Sequence, residues 1–333
     1  MKELELLYQG KDLTLEQSQQ IFATIVTGSM DPIVMGSLLT ALKIKGETPQ
    51  EIAGAAQALL NNAADFPTPD YEFADIVGTG GDGYNTINIS TTSAFVAASL
   101  GVKVSKHGNR GVSSKSGSSD LLQALGINIE MSPEKARECL DELGVCFLYA
   151  PQYHQGIRHA MPVRKALATR TLFNVLGPLI NPAHPTMEVM GVYDKALLKP
   201  IAETFQQMGM KKVMVIYGAG LDEAAVHGPT DVAEVNGNHI EYYQITPEEF
   251  GVAKASIEEL EGGTPEENCH ISEQLLQGQG KEAHLNAVAV NVALLLKLAG
   301  KVANVHEGVE LALREMRSGR PLQLVHKLAE KSQ

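Results

Sequence analysis

The chain has 333 residues, 44% of them hydrophobic, enough to bury a sizeable core and to form two domains. Its formal charge, 27 − 39 = −12, disfavours a general nucleic-acid binder, which needs a basic footprint. Cys139, Cys146 and Cys269 are odd in number and lack CxxC spacing, which fits a reducing compartment and argues against a zinc site or a disulfide scaffold.

The opening MKELELLYQGKDLTLEQ is polar and partly acidic, without the apolar core of a signal peptide, so a cytoplasmic location is expected. Thr14 and Gln17 form a capping-box pattern ahead of the apolar-periodic LEQSQQIFATIVT, with Gly28 as its stop. Asp31-Pro32 suits the start of a second helix ending at Gly46, and Thr48-Pro49-Gln50-Glu51 opens a third. These helices read as a small helical unit over residues 1–66, ending in the linker FPTPD.

Short apolar runs then alternate with amphipathic stretches. DIV precedes a glycine loop, TTSAFVAASLG is helical, VKVSKHG is a strand, SSDLLQALG is helical, and KKVMVIYGAG is a strand ending in glycines. Such alternation predicts an α/β domain over 71–333 with a mainly parallel central sheet flanked by helices, its ligands at loops beyond the strand C-termini. IEELEGGTPEEN, Ile257–Asn268, reads as an exposed acidic loop. The apolar run Leu285–Ala299 is shorter than the ~20 residues a bilayer needs and is interrupted by Asn286, Asn291 and Lys297, so a buried core helix is expected and no membrane partner. The amphipathic VHEGVELALREMRS follows.

Acidic residues are unevenly spread. Between Asp82 and Asp120 lie 37 residues without one, where an even distribution of 39 acids would place about four (39/333 × 37). That gap carries Lys103, Lys106, Arg110 and Lys115. A second acid-free stretch, Leu143–Met187, carries Arg158, Arg164, Lys165 and Arg170 with His154, His159 and His184. Two positive segments in an acidic protein point to a compact anionic ligand.

The loop DIVGTGGDGYNTINIST formally contains GxGxxG. A dinucleotide loop, however, wants an acid about 20 residues on, where Lys103 falls, and Asp82 inside the loop would repel a pyrophosphate unless a cation compensates. NTINISTT adds hydroxyls and amides that suit a phosphate-dense ligand with sugar hydroxyls. KHGNRGVSSKSGSS, Lys106–Ser119, packs two Lys, one Arg, five Ser and three Gly between a strand and a helix, a composition made for phosphate. In GAGLDEAAVHGPT the adjacent Asp222 and Glu223 at a strand exit can hold Mg2+, with pyrophosphate oxygens completing the shell.

Together with PVR, RTLFNVLGPLINP and GLDEAAVHGPTDVAE, these blocks closely resemble the anthranilate phosphoribosyltransferases of tryptophan biosynthesis, in order along nearly the whole chain. The KHGN block separates the chain from the related pyrimidine nucleoside phosphorylases. Gly111, Ser119, Gln155-Gly156 and Ala168 depart from the usual pattern without removing a charged or metal-binding group. The resemblance implies a helical domain, joined by a central segment near 165–185, and a homodimer formed through it. It leaves room for association with anthranilate synthase components. The implied substrates are anthranilate and phosphoribosyl pyrophosphate, with Mg2+ as cofactor. By position it implies that Gly78, Gly81, Asp82, Thr86, Asn88, Ser90, Thr91, Lys106, Ser114 and Ser118 hold phosphoribosyl pyrophosphate. Gly78, His107, Asn109, His154 and Arg164 would meet anthranilate, and Ser90, Asp222 and Glu223 the metal. Lys106, Asp222 and Glu223 are the implied catalytic groups.

Overall fold

A computed structural model of the chain describes residues 2–111 and 115–333. α1 (Lys2–Tyr8), too short to declare a period in sequence, precedes α2 (Leu15–Val26), α3 (Pro32–Lys45) and α4 (Pro49–Asn61). The caps act where expected: Thr14 and Gln17 form a capping box at α2, Asp31 accepts from Ile33 N and Val34 N at α3, and Thr48 and Glu51 form a second box at α4. Glu51 also accepts from Leu13 N and from Lys45 Nζ, both at 2.9 Å, so one buried carboxylate ties α4 to α3 and to the turn before α2. Residues 66–70 form no regular element, yet Phe66 is buried against Tyr153 with ring centroids 6.4 Å apart. The linker is anchored.

Strands and helices then alternate: β1 (Ala74–Gly78), α5 (Ile89–Ser99), β2 (Val104–Gly108), α6 (Ser118–Ala124), α7 (Pro133–Leu143) and β3 (Val145–Tyr149). The acid-free central segment holds α8 (Ala150–Tyr153), α9 (Met161–Leu167) and α10 (Phe173–Leu179), followed by β4 (Met187–Gly191), α11 (Leu198–Gln207) and β5 (Lys212–Gly218). A hairpin of β6 (Thr230–Asn236) and β7 (His239–Ile245) leads to α12 (Pro247–Phe250), α13 (Pro265–Leu275), α14 (Glu282–Leu298), α15 (Val305–Arg317) and α16 (Arg320–Lys331).

The sheet runs β3-β2-β1-β4-β5-β6-β7, parallel from β3 to β5 and antiparallel at β6 and β7. Side chains alternate between its faces with period two. Met214 and Ile216 join a core with α5, α14, α15 and α16, while Val213 and Val215 join a second core with α11, α2–α4 and the segment from Ala160 to Ile180. α14 is the buried helix expected from its composition, with residues 286–296 inaccessible on every side.

One expectation is corrected. Ile257–Asn268 is not an exposed loop: Leu260 is fully buried, Glu261 bridges Thr86, and α13 begins inside the segment on a Thr264–Glu267 capping box. Its acids cap helices and face solvent, which made the composition look like a loop.

Candidate active site

The chain proceeds from β1 outward to β2 and β3, then returns to the other side of β1 as β4 and β5. The strand order therefore reverses between β1 and β4, and open α/β sheets bind ligands above such a point. The loops leaving β1, β2 and β5 converge there. Gly78 ends β1 and Gly191 ends β4. A Cβ on Gly78 would strike the Asp222 carboxylate and one on Gly191 the Asp222 carbonyl, so the third loop lies directly across the switch point.

The glycine loop is built for close approach. Gly80, Gly81 and Gly83 have φ of 70°, 76° and 87°, a region side chains disfavour. Its helix starts only at Ile89, after residues 84–88 intervene, unlike a dinucleotide loop. Asn88 occupies the N-cap of α5 without a side-chain cap, and of the first N–H groups of that helix the one on Ser90 reaches the Glu223 carboxylate. Thr91 is buried and lines a small cavity with Lys106, Phe95 and Phe147. Arg170, to which the sequence assigned only charge, donates to Gly81 O, stands 4.1 Å from the Tyr193 ring centroid, and accepts at its carbonyl from Lys43 Nζ at 2.8 Å. It links α3 to the glycine loop.

The second loop is organised by the acid that ends the acid-free gap. Asp120 accepts from Gly111 N and Gly117 N, each at 2.9 Å, and from the Arg110 guanidinium at 3.1 Å. Ser118 Oγ and Ser119 N both donate to Asn109 O at 3.2 Å. Ser114 lies outside the described residues. Lys106 is buried in the middle of β2 and donates to Ile76 O at 2.6 Å and Ser90 Oγ at 3.4 Å. Burial pushes its ammonium down, opposed by Asp75, Glu223, Glu188 and Asp222. Asp75 is itself buried and held by Ile76 N and Asn181 Nδ2, each at 2.8 Å. The sequence assigned Asp75 and Asn181 no role; an acid opening an apolar strand was the available signal.

In the third loop Asp222 is buried and Glu223 half-buried. Burial, with Asp82 beside it, pushes Asp222 up to about 7. Burial and then Asp222 push Glu223 up to about 8, against Lys106 and the Ser90 N–H. Three crowded carboxyl groups favour a cation. The loop is pinned from below by Asn291 of α14, whose amide accepts from Ala224 N at 2.9 Å and donates to Ala224 O at 3.2 Å.

The anthranilate residues implied by resemblance are less tightly joined. His107 and His154 face each other with ring centroids 5.4 Å apart, both buried and held neutral by burial. His154 Nε2 donates to Ile180 O at 2.7 Å. Asn109 is exposed at the loop mouth. Arg164, half-buried on α9, stands 5.2 Å from the Phe173 ring centroid, and no acid within ion-pair distance is found for it among the described residues. Thr86 forms an isolated antiparallel bridge with Glu261.

A glycosyl transferase family α/β domain matches residues 70–322, and the helical bundle domain of the same family matches residues 3–63. An anthranilate phosphoribosyltransferase of Psychromonas ingrahamii is 62% identical over 330 residues, 99% of this chain and 97% of that one. The chain belongs to the anthranilate phosphoribosyltransferase family. The crystal structure of the family member from Thermus thermophilus superposes with a TM-score of 0.94 at 40% identity, covering 100% of this chain and 99% of that one. The Saccharomyces cerevisiae member, in complex with phosphoribosyl pyrophosphate and Mg, superposes at 0.91 with 28% identity, covering 99% and 97%. That yeast member is also known with 4-fluoroanthranilate.

Proposed function

We propose that the chain transfers the 5-phosphoribosyl group of phosphoribosyl pyrophosphate to the amine of anthranilate, giving N-(5-phosphoribosyl)anthranilate and pyrophosphate. The observation that carries this reading is the convergence of three loops at the switch point: a glycine loop, a basic serine-rich loop and a carboxylate pair.

Anthranilate is a weak nucleophile because its lone pair is delocalised into the ring, so departure of pyrophosphate is the step to be helped. Lys106, at the floor of the site, supplies positive charge where the leaving group gains negative charge. The N–H groups at the start of α5 and in the second loop orient the phosphates. The donor set suits a Mg2+ shared with substrate: Asp222, Glu223 and Ser90 offer oxygen, while among the described residues no three His, Cys, Asp or Glu are grouped so that they could hold a metal ion by themselves. A cation that keeps waters and shares substrate phosphates needs only one or two carboxylates. When bound, Mg2+ would neutralise charge developing on pyrophosphate. Asn109 and Arg164 would hold the anthranilate carboxylate, with His107 and His154 along its path. The remaining phosphate contacts are assigned to Gly78, Gly81, Asp82, Thr86, Asn88, Thr91, Ser114 and Ser118.

The helical unit, residues 1–66 with the segment 165–185, is read as the dimerisation domain and 71–333 as the ligand-binding domain. Tyr8, Ile33 and Ile44 are 56%, 84% and 81% exposed on α1 and α3, and Met161 beside them is 50% exposed, an apolar surface suited to a second copy. A cytoplasmic location is the companion reading, supported by three free cysteines. No described helix is long and apolar enough to cross a membrane.

Mixing protein, anthranilate, phosphoribosyl pyrophosphate and Mg2+ and following anthranilate fluorescence tests the reaction. Loss of signal that needs all four components is expected; no loss at high enzyme concentration would overturn it.

A further inference from the structure

Residues 260–268 run alongside the glycine loop as a fourth wall. Ile87 N donates to Leu260 O at 3.0 Å and Gly262 N to Asn85 O at 2.8 Å. A Cβ on Gly262 would meet Asn268 Oδ1 at 2.6 Å, Thr86 O at 2.8 Å and Ile87 N at 2.9 Å, so only glycine permits this approach. From the first turns of α13, Asn268 reaches into the contact and is 1% exposed.

Its hydrogen bonds have a fixed direction. Gly263 N can only donate, and it donates to Asn268 Oδ1 at 2.7 Å. That turns Asn268 Nδ2 toward Asn88, where it donates to Oδ1 at 2.8 Å. Asn88 must then aim its own Nδ2 at the second loop, and it donates to Ser116 O at 3.0 Å. Ser116 Oγ returns a bond to Asn88 Oδ1 at 3.2 Å. A primary amide has one donor end and one acceptor end, so each link sets the polarity of the next. Gly263 N at one end, acting through Asn268, and the Ser116 carbonyl at the other thus agree on which way the N-cap amide of α5 points, and with it on the docking of the second loop on the first.

We propose that Asn268 is a positioning residue for phosphoribosyl pyrophosphate: it orients Asn88 and so holds the β1 and β2 loops at the separation the ligand needs. This rests on the substrate reading above. Asn268 itself lies behind Asn88 and acts through it.

Asn268→Asp tests the polarity, because a carboxylate still accepts from Gly263 N but offers Asn88 no donor. Asn88 Oδ1 then either faces a carboxylate oxygen or turns and leaves itself against Ser116 O, and in both cases the link from α13 to the N-cap of α5 is lost. Titration calorimetry of phosphoribosyl pyrophosphate with Mg2+, together with steady-state kinetics, should show its affinity and kcat/KM falling by about 10-fold or more, with the anthranilate KM within about twofold. Asn268→Ala should do the same, and circular dichroism should find both folded. Asn268→Ser, whose hydroxyl can accept from Gly263 or donate to Asn88 but is too short to span both, should fall between wild type and Ala, and it serves if the bulkier change does not fold. Wild-type affinity in the folded variants, or equal damage to both substrates, overturns the positioning role while leaving the reaction standing. A wild-type protein that neither binds nor turns over phosphoribosyl pyrophosphate overturns both.

Discussion

Gly80 N donates to Asp222 Oδ2 at 2.6 Å, joining two loops whose residues stand 142 positions apart in sequence. The glycine loop is thus held by the carboxylate that also presses on Gly78. Asp222→Asn keeps an oxygen for Gly80 N while removing the charge. With Glu223→Gln it separates structural from electrostatic roles. The double variant should fold, lose at least ~100-fold in turnover and require more Mg2+. Steady-state rates against Mg2+ check this, and a well-folded variant with the wild-type metal profile would make the acids a mere turn.

Arg164 has no acid partner in ion-pair reach among the described residues, and burial holds its pKa down; under the proposed function its guanidinium would receive the anthranilate carboxylate. Arg164→Ala should raise the anthranilate KM by roughly 10-fold or more with phosphoribosyl pyrophosphate affinity little changed. Arg164→Lys should not restore it, since an ammonium cannot form the bidentate pair. Equal losses for both substrates would place Arg164 elsewhere.

His154 has its pKa lowered to about 4 by burial, and His107, 5.4 Å away centroid to centroid, is lowered too. The unfolded chain takes up a proton near the ordinary histidine pKa of about 6.5, while folded His154 resists until about 4. Its contribution is therefore complete above about pH 6.5 and lost as pH falls toward about 4, on the order of 1 kcal/mol per unit. His154→Gln, which can still donate to Ile180 O, should flatten that part of the denaturation profile. Parallel wild-type and variant profiles would show that His154 does not titrate this way.

Ile33 and Ile44 project from the same helix, and both would be shielded in a dimer. Ile33→Asp with Ile44→Asp should shift sedimentation toward the monomer without unfolding α3, whose Met35, Leu38, Leu39 and Leu42 face inward. An unchanged mass would exclude this face from the contact.

The sequence revealed elements that carry local chemistry. Thr14, Asp31 and Thr48 are caps by residue type alone, and the basic, serine-rich second loop stands out by what it lacks, acids. Contacts between distant segments were not legible. Asn268 ends an acidic run that reads as a loop and Asn291 interrupts an apolar helical stretch, and nothing local says that one donates to Asn88 and the other clamps Ala224. The acidic run before Asn268 concealed Leu260 and the bridge to Thr86, because surface acids dominate composition whereas one buried leucine decides the packing. The hairpin turn Gly237-Asn238, with Gly237 at φ 60°, carries a readable glycine-led turn signal that the stronger parallel pattern overshadows.

The most direct test of the central claim counts pyrophosphate released against anthranilate consumed in one reaction vessel, with and without Mg2+. Attack by the amine on the ribose carbon that loses pyrophosphate requires the two amounts to be equal, and the carboxylate pair requires the reaction to stop when the metal is chelated. Anthranilate loss without matching pyrophosphate, or at an undiminished rate in chelator, would contradict the account.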